Sequence, residues 1–226
     1  MEQTVENIAA KRRGFRSFYT RGEEIFNAVS HIVGGGIGLA AWIIGMFFAY
    51  PSVSVMIAIS VFGVCVVTLY TMSALYHFLP NGTAKGVFRI FDHCTIFLLI
   101  AGTYTPFCVI LLGATPVGIA LLAGEWLLAV LGIVGNAIAM RNRVIKALSM
   151  VFYLVMGWAI LAVLPLVLGK MSAAAFWLLL AGGLCYTGGV VFFALGKKVK
   201  YFHSVWHLFD IAGTVLQFLS ILFLLF

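Results

Sequence analysis

Tyr201-Phe-His-Ser-Val-Trp-His-Leu-Phe-Asp210 opens the last apolar segment of the chain, and the residues after it, Ile211 to Phe226, carry no charge. The segment exceeds the ~20 residues that a helix needs to cross a hydrocarbon core, so it reads as a membrane helix with its polar groups in the first turns. His203 and His207 are four apart and share one helix face, about 6 Å apart along the axis. Asp210, three residues on, shares that face. An imidazole inside a membrane helix costs free energy unless something pairs with it, so an intramembrane His-x-x-x-His marks a functional site. Its partners must come from elsewhere in the chain.

The rest of the sequence agrees with a membrane setting. Hydrophobic residues make up 63% and charged residues 9%, and the mean hydropathy is +1.13. That excludes a water-soluble globular chain. The backbone must be helical, because only helices and closed barrels satisfy their own hydrogen bonds in lipid, and the alternating polar lumen positions of a barrel are absent. Cys65, Cys94, Cys108 and Cys185 all fall in apolar runs without a C-x-x-C, which suits small packing residues.

Turn and charge signals at Tyr50-Pro51-Ser52, Pro80-Asn81-Gly82, Gly113 to Pro116, Arg141-Asn142-Arg143, Gly169-Lys170 and Gly196 to Lys198 divide the chain. They leave seven spans, at about 25–49, 53–78, 88–112, 117–139, 145–168, 173–195 and 203–226. The expected fold is an all-α integral membrane protein, a seven-transmembrane-helix bundle over 25–226 behind a basic arm at 1–24. No cleavable signal is expected, since the first apolar run starts late and is too long for an h-region; the arm reads as a segment facing anionic lipid. Lys11, Arg12, Arg13, Arg16 and Arg21 precede the first span; Lys85, Arg89, Arg141, Arg143, Lys146, Lys197, Lys198 and Lys200 fall in or beside the second, fourth and sixth loops. Lys170 alone lies on the other side. The positive-inside rule then puts the N-terminus in the cytoplasm and the C-terminus outside, the reverse of a G-protein-coupled receptor. The last span has no lysine to hold retinal. Gly34 to Gly36 with Gly38, and Gly182-Gly183 with Gly188-Gly189, suit close helix approach in lipid, and Pro106 is expected to kink the third span.

This topology gathers the rare polar residues in one half of the bilayer. Glu23, Glu24, Asn27 and His31 run up the start of span one. Ser73 and His77 lie one turn apart at the end of span two, and Asp92 and His93 near the start of span three. Three imidazoles from two helices with a carboxylate from a third match a catalytic zinc site, in which three protein ligands leave one position for water. His77, His203 and His207 are the chosen ligands. Asp92 is expected to hold and deprotonate the water, and Ser73 to hydrogen-bond a ligand or a developing oxyanion. Asn27, His31, Glu23 and Asp210 are expected behind the ligands. A histidine in a membrane helix also serves as a plain interhelical hydrogen-bonding residue, and His31 fits that use equally. His93 is rotated about 100° from Asp92 and is expected to pack or bond elsewhere; Glu125 stands apart at an interface or helix contact. A bis-histidine haem or quinone site would need opposed histidines.

Glu23-x-x-x-Asn27-x-x-x-His31, Ser73-x-x-x-His77, Phe91-Asp92-His93 with Ala101-Gly-Thr-Tyr-Thr-Pro106, and His203-x-x-x-His207 resemble the bacterial hemolysin III proteins, which group with the progestin and adipoQ receptors. The resemblance spans nearly the whole chain. It implies a seven-helix bundle with a cytoplasm-proximal zinc on the histidines at 77, 203 and 207, the aspartate at 92 acting through water, and the serine at 73 beside it. It also implies kinship with alkaline ceramidases. Asp210 departs from that motif, as a further partner or as a sign that the site is tuned differently. The expected protein sits in the bacterial inner membrane as a zinc-dependent hydrolase of a lipid amide or ester. The alternative is a non-enzymatic regulator of membrane lipid homeostasis, or receptor-like protein, with a structural zinc. A cytolysin is the weaker alternative, because seven spans with little extramembrane mass leave no way to attack another cell.

Overall fold

A computed structural model describes residues 15–226; Lys11, Arg12 and Arg13 of the basic arm lie outside the described residues. Seven membrane-length helical segments follow one another: α1 Arg21–Ala49, α2 Val53–Phe78, α3 Thr83–Phe107, α4 Pro116–Ala139, α5 Arg143–Gly157, α6 Ala173–Leu195 and α7 Phe202–Leu222. The described residues form no strand. α3 continues through a π-helical stretch, Cys108–Leu112, and α5 through 3-10 turns and a short helical turn to Lys170. The large apolar side chains left exposed, such as Ile43, Phe47, Ile138 and Trp177, ring the outside of the bundle. That surface suits lipid and not water.

Local chemistry sets the ends. Thr20 and Glu23 form a reciprocal capping box that starts α1 at Arg21, four residues before hydropathy alone would start it. Thr115 caps α4 with Pro116 at its first position, Asn142 caps α5, and Ser172 caps α6. α3 likewise starts early, after Gly82 at φ 156°, so Lys85 belongs to its first turn and is not a loop charge.

Two spans depart from regular helix. α3 runs through Pro106 and widens into the π turn just beyond it. Pro165 in the fifth span has no N–H for the carbonyl of Leu161, and the ladder is already open at Gly157. The Tyr104 hydroxyl enters that opening. It donates to the carbonyl of Gly157 at 3.2 Å and accepts from the N–H of Ile160 at 2.8 Å.

Successive helices from α1 to α5 pack as neighbours, α6 packs on α7, and α7 closes against α1 and touches α3. α3 is the most enclosed helix, with 67% of its 18-residue apolar stretch buried. Small residues permit the close approaches: a side chain at Gly38 would collide with Val66, and one at Gly189 would come within 2.7 Å of Trp206. Gly36 faces open space. α5 and α6 barely touch, although the indole N–H of Trp158 reaches Thr187 Oγ1 at 3.0 Å. Beside that loose seam lies an apolar cavity of about 100 Å³, lined by α3, α5, α6 and α7.

Candidate metal centre

α2 brings His77 to the bundle's N-terminal end in its last turn, and α7 brings His203 and His207 there in its first two. All three are at most 3% exposed. One nitrogen from each lies within 4.8 Å of the others, the one such group of three possible ligands among the described residues. The ring centroids stand 4.9 to 5.3 Å apart, with planes crossed by 47° to 69°.

Hydrogen bonds to the opposite edges orient two of these rings. His77 Nδ1 stands 2.7 Å from Glu24 Oε2. A carboxylate only accepts, so Nδ1 carries a proton, and in the neutral ring Nε2 keeps its lone pair. Ser30 Oγ donates to the carbonyl of Asn27 at 3.0 Å. Its 3.1 Å contact with His207 Nδ1 is therefore one it accepts, which again leaves Nε2 as the free base. His203 has neither nitrogen paired, and His77 Nε2 is also buried without a partner. Stranding such groups costs about 1–3 kcal/mol each. A shared metal ion would satisfy them together, so these residues fit a metal.

A narrow cavity adjoins the cluster, lined by His31, Ser73, Asp92, His203, His207 and Asp210 among others. Its free volume is about 10 Å³, on the order of one water molecule. Asp92 is 8% exposed and Ser73 1%. Ile96, Phe193, Trp206 and Asp210 also line the larger apolar cavity, so the two spaces adjoin. The joint arrangement is an apolar space ending at histidines, a carboxylate and a hydroxyl.

The other residues singled out from sequence sort themselves by contact. Asn27 Oδ1 accepts from Ser204 Oγ at 2.7 Å, tying α1 to α7 beside His203. The His31 ring stacks on His207 with centroids 3.6 Å apart, and its Nε2 stands 3.8 Å from Asp210 Oδ2. Glu23 touches no histidine. Its carboxylate caps Thr20 and takes the N–H of Tyr201 at 2.7 Å, which pins the left-handed residue that starts α7. His93 lies outside the cavity lining, yet its Nδ1 folds back to 3.4 Å from Asp92 Oδ2, with the ring edge-on to Phe193. Glu125 is buried away from the cluster, one of its oxygens without a partner.

The sequence reading assigns no site role to Glu24, Ser30, Lys85 or Tyr19. Glu24 shares a face with His31 seven residues on, a signal available but split between two adjacent acids. Lys85 has no sequence signal, since nothing local says that it turns inward. Tyr19 lies flat on His203, with centroids 4.6 Å apart and planes 10° from parallel. Burial, with the Asp92 charge adding, pushes its phenol well above the usual tyrosine range. The segment carrying it is held by the Gly82 N–H to the Phe15 carbonyl at 2.9 Å and the Ser17 N–H to Asn81 Oδ1 at 2.7 Å. Arg89 and Lys197 lie over the Phe18 ring. This part of the arm folds onto the bundle as a cover over the histidines.

A family model described as "Haemolysin-III related" matches residues 19–218. The chain is similar to "Hemolysin-3" of Bacillus cereus, 40% identical over 89% of this chain and 91% of the relative. It is similar also to "Hemolysin-3 homolog" of Bacillus subtilis (strain 168), 38% identical over 91% and 95%. A more distant likeness, 25% identical over 71% of this chain and 67% of the relative, is to the human "Monocyte to macrophage differentiation factor".

Proposed function

The chain belongs to the haemolysin III-related family of multi-pass membrane proteins, and from that premise we propose that it is a zinc-dependent hydrolase of an acyl-lipid amide or ester in the bacterial inner membrane. The observation that carries the reading is the buried His77, His203 and His207 cluster, with unpaired nitrogens on His77 and His203, beside Asp92 and Ser73 at the end of an apolar cavity. The three histidines would hold the zinc. When bound, it supplies Lewis acidity, which activates water near neutral pH and polarises a carbonyl. Asp92 takes the proton of a water attacking the acyl carbon while the Ser73 hydroxyl donates to the carbonyl oxygen; the acyl C–N or C–O bond then breaks, and Asp92 returns the proton to the departing amine or alcohol. The apolar cavity takes the acyl chain from the bilayer. The basic residues at this end support the cytoplasmic leaflet as the side of the chemistry.

The narrowness of the histidine cavity favours a second reading. Space for about one water, with Tyr19 lying over His203, also suits a structural zinc that holds α2 to α7 in a non-enzymatic regulator of membrane lipids. Metal analysis of purified protein, followed by a panel of ceramide-like and ester lipids, separates the two. Removing a general base costs about 10²–10⁴ in rate, so Asp92→Asn is expected to keep its zinc and lose fatty-acid release by that factor. No release by wild type, together with disturbed membrane lipid composition in Asp92→Asn cells, would decide for the regulator.

A further inference from the structure

Lys85 is an anomaly for a chain read as a membrane bundle: a lysine 1% exposed in the first turn of α3. A buried ammonium is costly unless several groups receive it. Here it donates to the carbonyls of Tyr76, His77 and Leu79 at 2.7, 3.2 and 3.1 Å. Those carbonyls lie where α2 stops, at Phe78 before Leu79-Pro80, and have no further turn to accept from. The same ammonium stands 3.0 Å from Glu24 Oε1. The other oxygen of that carboxylate, Oε2, is the one bonded to His77 Nδ1.

We infer that Glu24 and Lys85 are a positioning pair for the metal: the carboxylate takes the Nδ1 proton of His77 and aims Nε2 into the cluster, and the lysine holds both the carboxylate and the backbone that carries the ring. The inference rests on the metal reading above. Among the three clustered histidines, His77 alone has a carboxylate behind it; His207 has the neutral Ser30 hydroxyl and His203 has no partner. A carboxylate behind an imidazole fixes its tautomer and raises its basicity as a ligand, which makes such groups worth about 10–100-fold in metal affinity. Lys85 adds what a surface carboxylate would lack. It restricts Glu24 from turning to solvent and couples the end of α2, the start of α3 and α1 through one charge. Ser17 Oγ also bonds Glu24 Oε1, so the cover segment leans on the same carboxylate.

A plain structural ion pair would make different demands. Its loss would lower thermal stability equally with and without metal and would leave unchanged which His77 nitrogen carries the proton. The test uses the full chain in nanodiscs, stripped of metal with a chelator, with zinc affinity measured by competition and imidazole tautomers read from ¹⁵N chemical shifts. Wild type is expected to show His77 protonated at Nδ1 before zinc is added. Glu24→Ala is expected to weaken zinc about 10–100-fold and to mix the His77 tautomers. Glu24→Gln retains an oxygen acceptor without the charge, so it should keep the tautomer and weaken zinc less; it also serves if the alanine variant does not fold. Lys85→Met should weaken zinc while Glu125→Gln does not. Wild-type affinity and an unchanged tautomer in Glu24→Ala would overturn the pair while leaving the metal reading standing. A wild type that binds no zinc would overturn both.

Discussion

Each histidine in this chain is a decision about which nitrogen is free. At His77 and His207 the orienting groups, Glu24 and Ser30, take the Nδ1 edge, and at His203 nothing does. His93 spends its ring on Asp92 and stays out of the cavity. Three ligands leave no spare, so His203→Ala is expected to lose most of the bound zinc in metal analysis, whereas His93→Ala keeps it. Full zinc occupancy in a His203→Ala, His207→Ala double variant would remove the site as drawn. The adjacent acids of α1 show how fine the residue scale is. A rotation of about 100° separates Glu23, which pins the start of α7, from Glu24, which reaches a histidine.

The segment before α1 acts as an element in its own right. Its tyrosine covers His203, and its aromatic neighbours are held by two backbone hydrogen bonds and by cations from α3 and the α6–α7 turn. An aromatic stack contributes about 0.5–1.5 kcal/mol beyond its buried area, and 1.4 kcal/mol is a factor of ten in an equilibrium. Tyr19→Ala is therefore expected to speed removal of zinc by a hydrophilic chelator by roughly 2- to 10-fold. Tyr19→Phe, which keeps the ring, should leave the rate near wild type. Equal rates in all three would show that the segment does not guard the site.

Over the whole molecule, charge and packing divide the labour. Of the eleven lysines and arginines among the described residues, ten lie toward the end that holds the histidines, and Lys170 lies opposite. The expected topology is N-terminus in and C-terminus out. A C-terminal alkaline phosphatase fusion should be active and a fusion in the Arg141 loop inactive. The reverse pattern would move the site to the outer face. Packing is uneven around the bundle: α3 is enclosed by α2, α4, α5 and α7, while α5 and α6 stay apart around the apolar cavity. On the proposed function, that seam is the route by which a lipid chain reaches the cavity without first crossing water.

The seven helices, their breaks and the costly positions of His77, His203 and His207 were legible from local chemistry, and that the three histidines meet followed from the one half of the bilayer in which the topology puts them. Hydropathy over ~20 residues, Pro and Gly punctuation, and imidazoles too costly to be idle in lipid are all properties of short stretches. The roles of Glu24, Lys85 and Tyr19 and the opening of α5 by Tyr104 were not legible, because each joins groups far apart in the chain. Lys85 reads as a loop charge in the sequence; in the fold the end of α2 gives it three carbonyls and α1 gives it the Glu24 carboxylate. Periodicity sets the face a residue shares with its neighbours; only the packed bundle decides what lies across from that face, and burial makes the answer matter energetically.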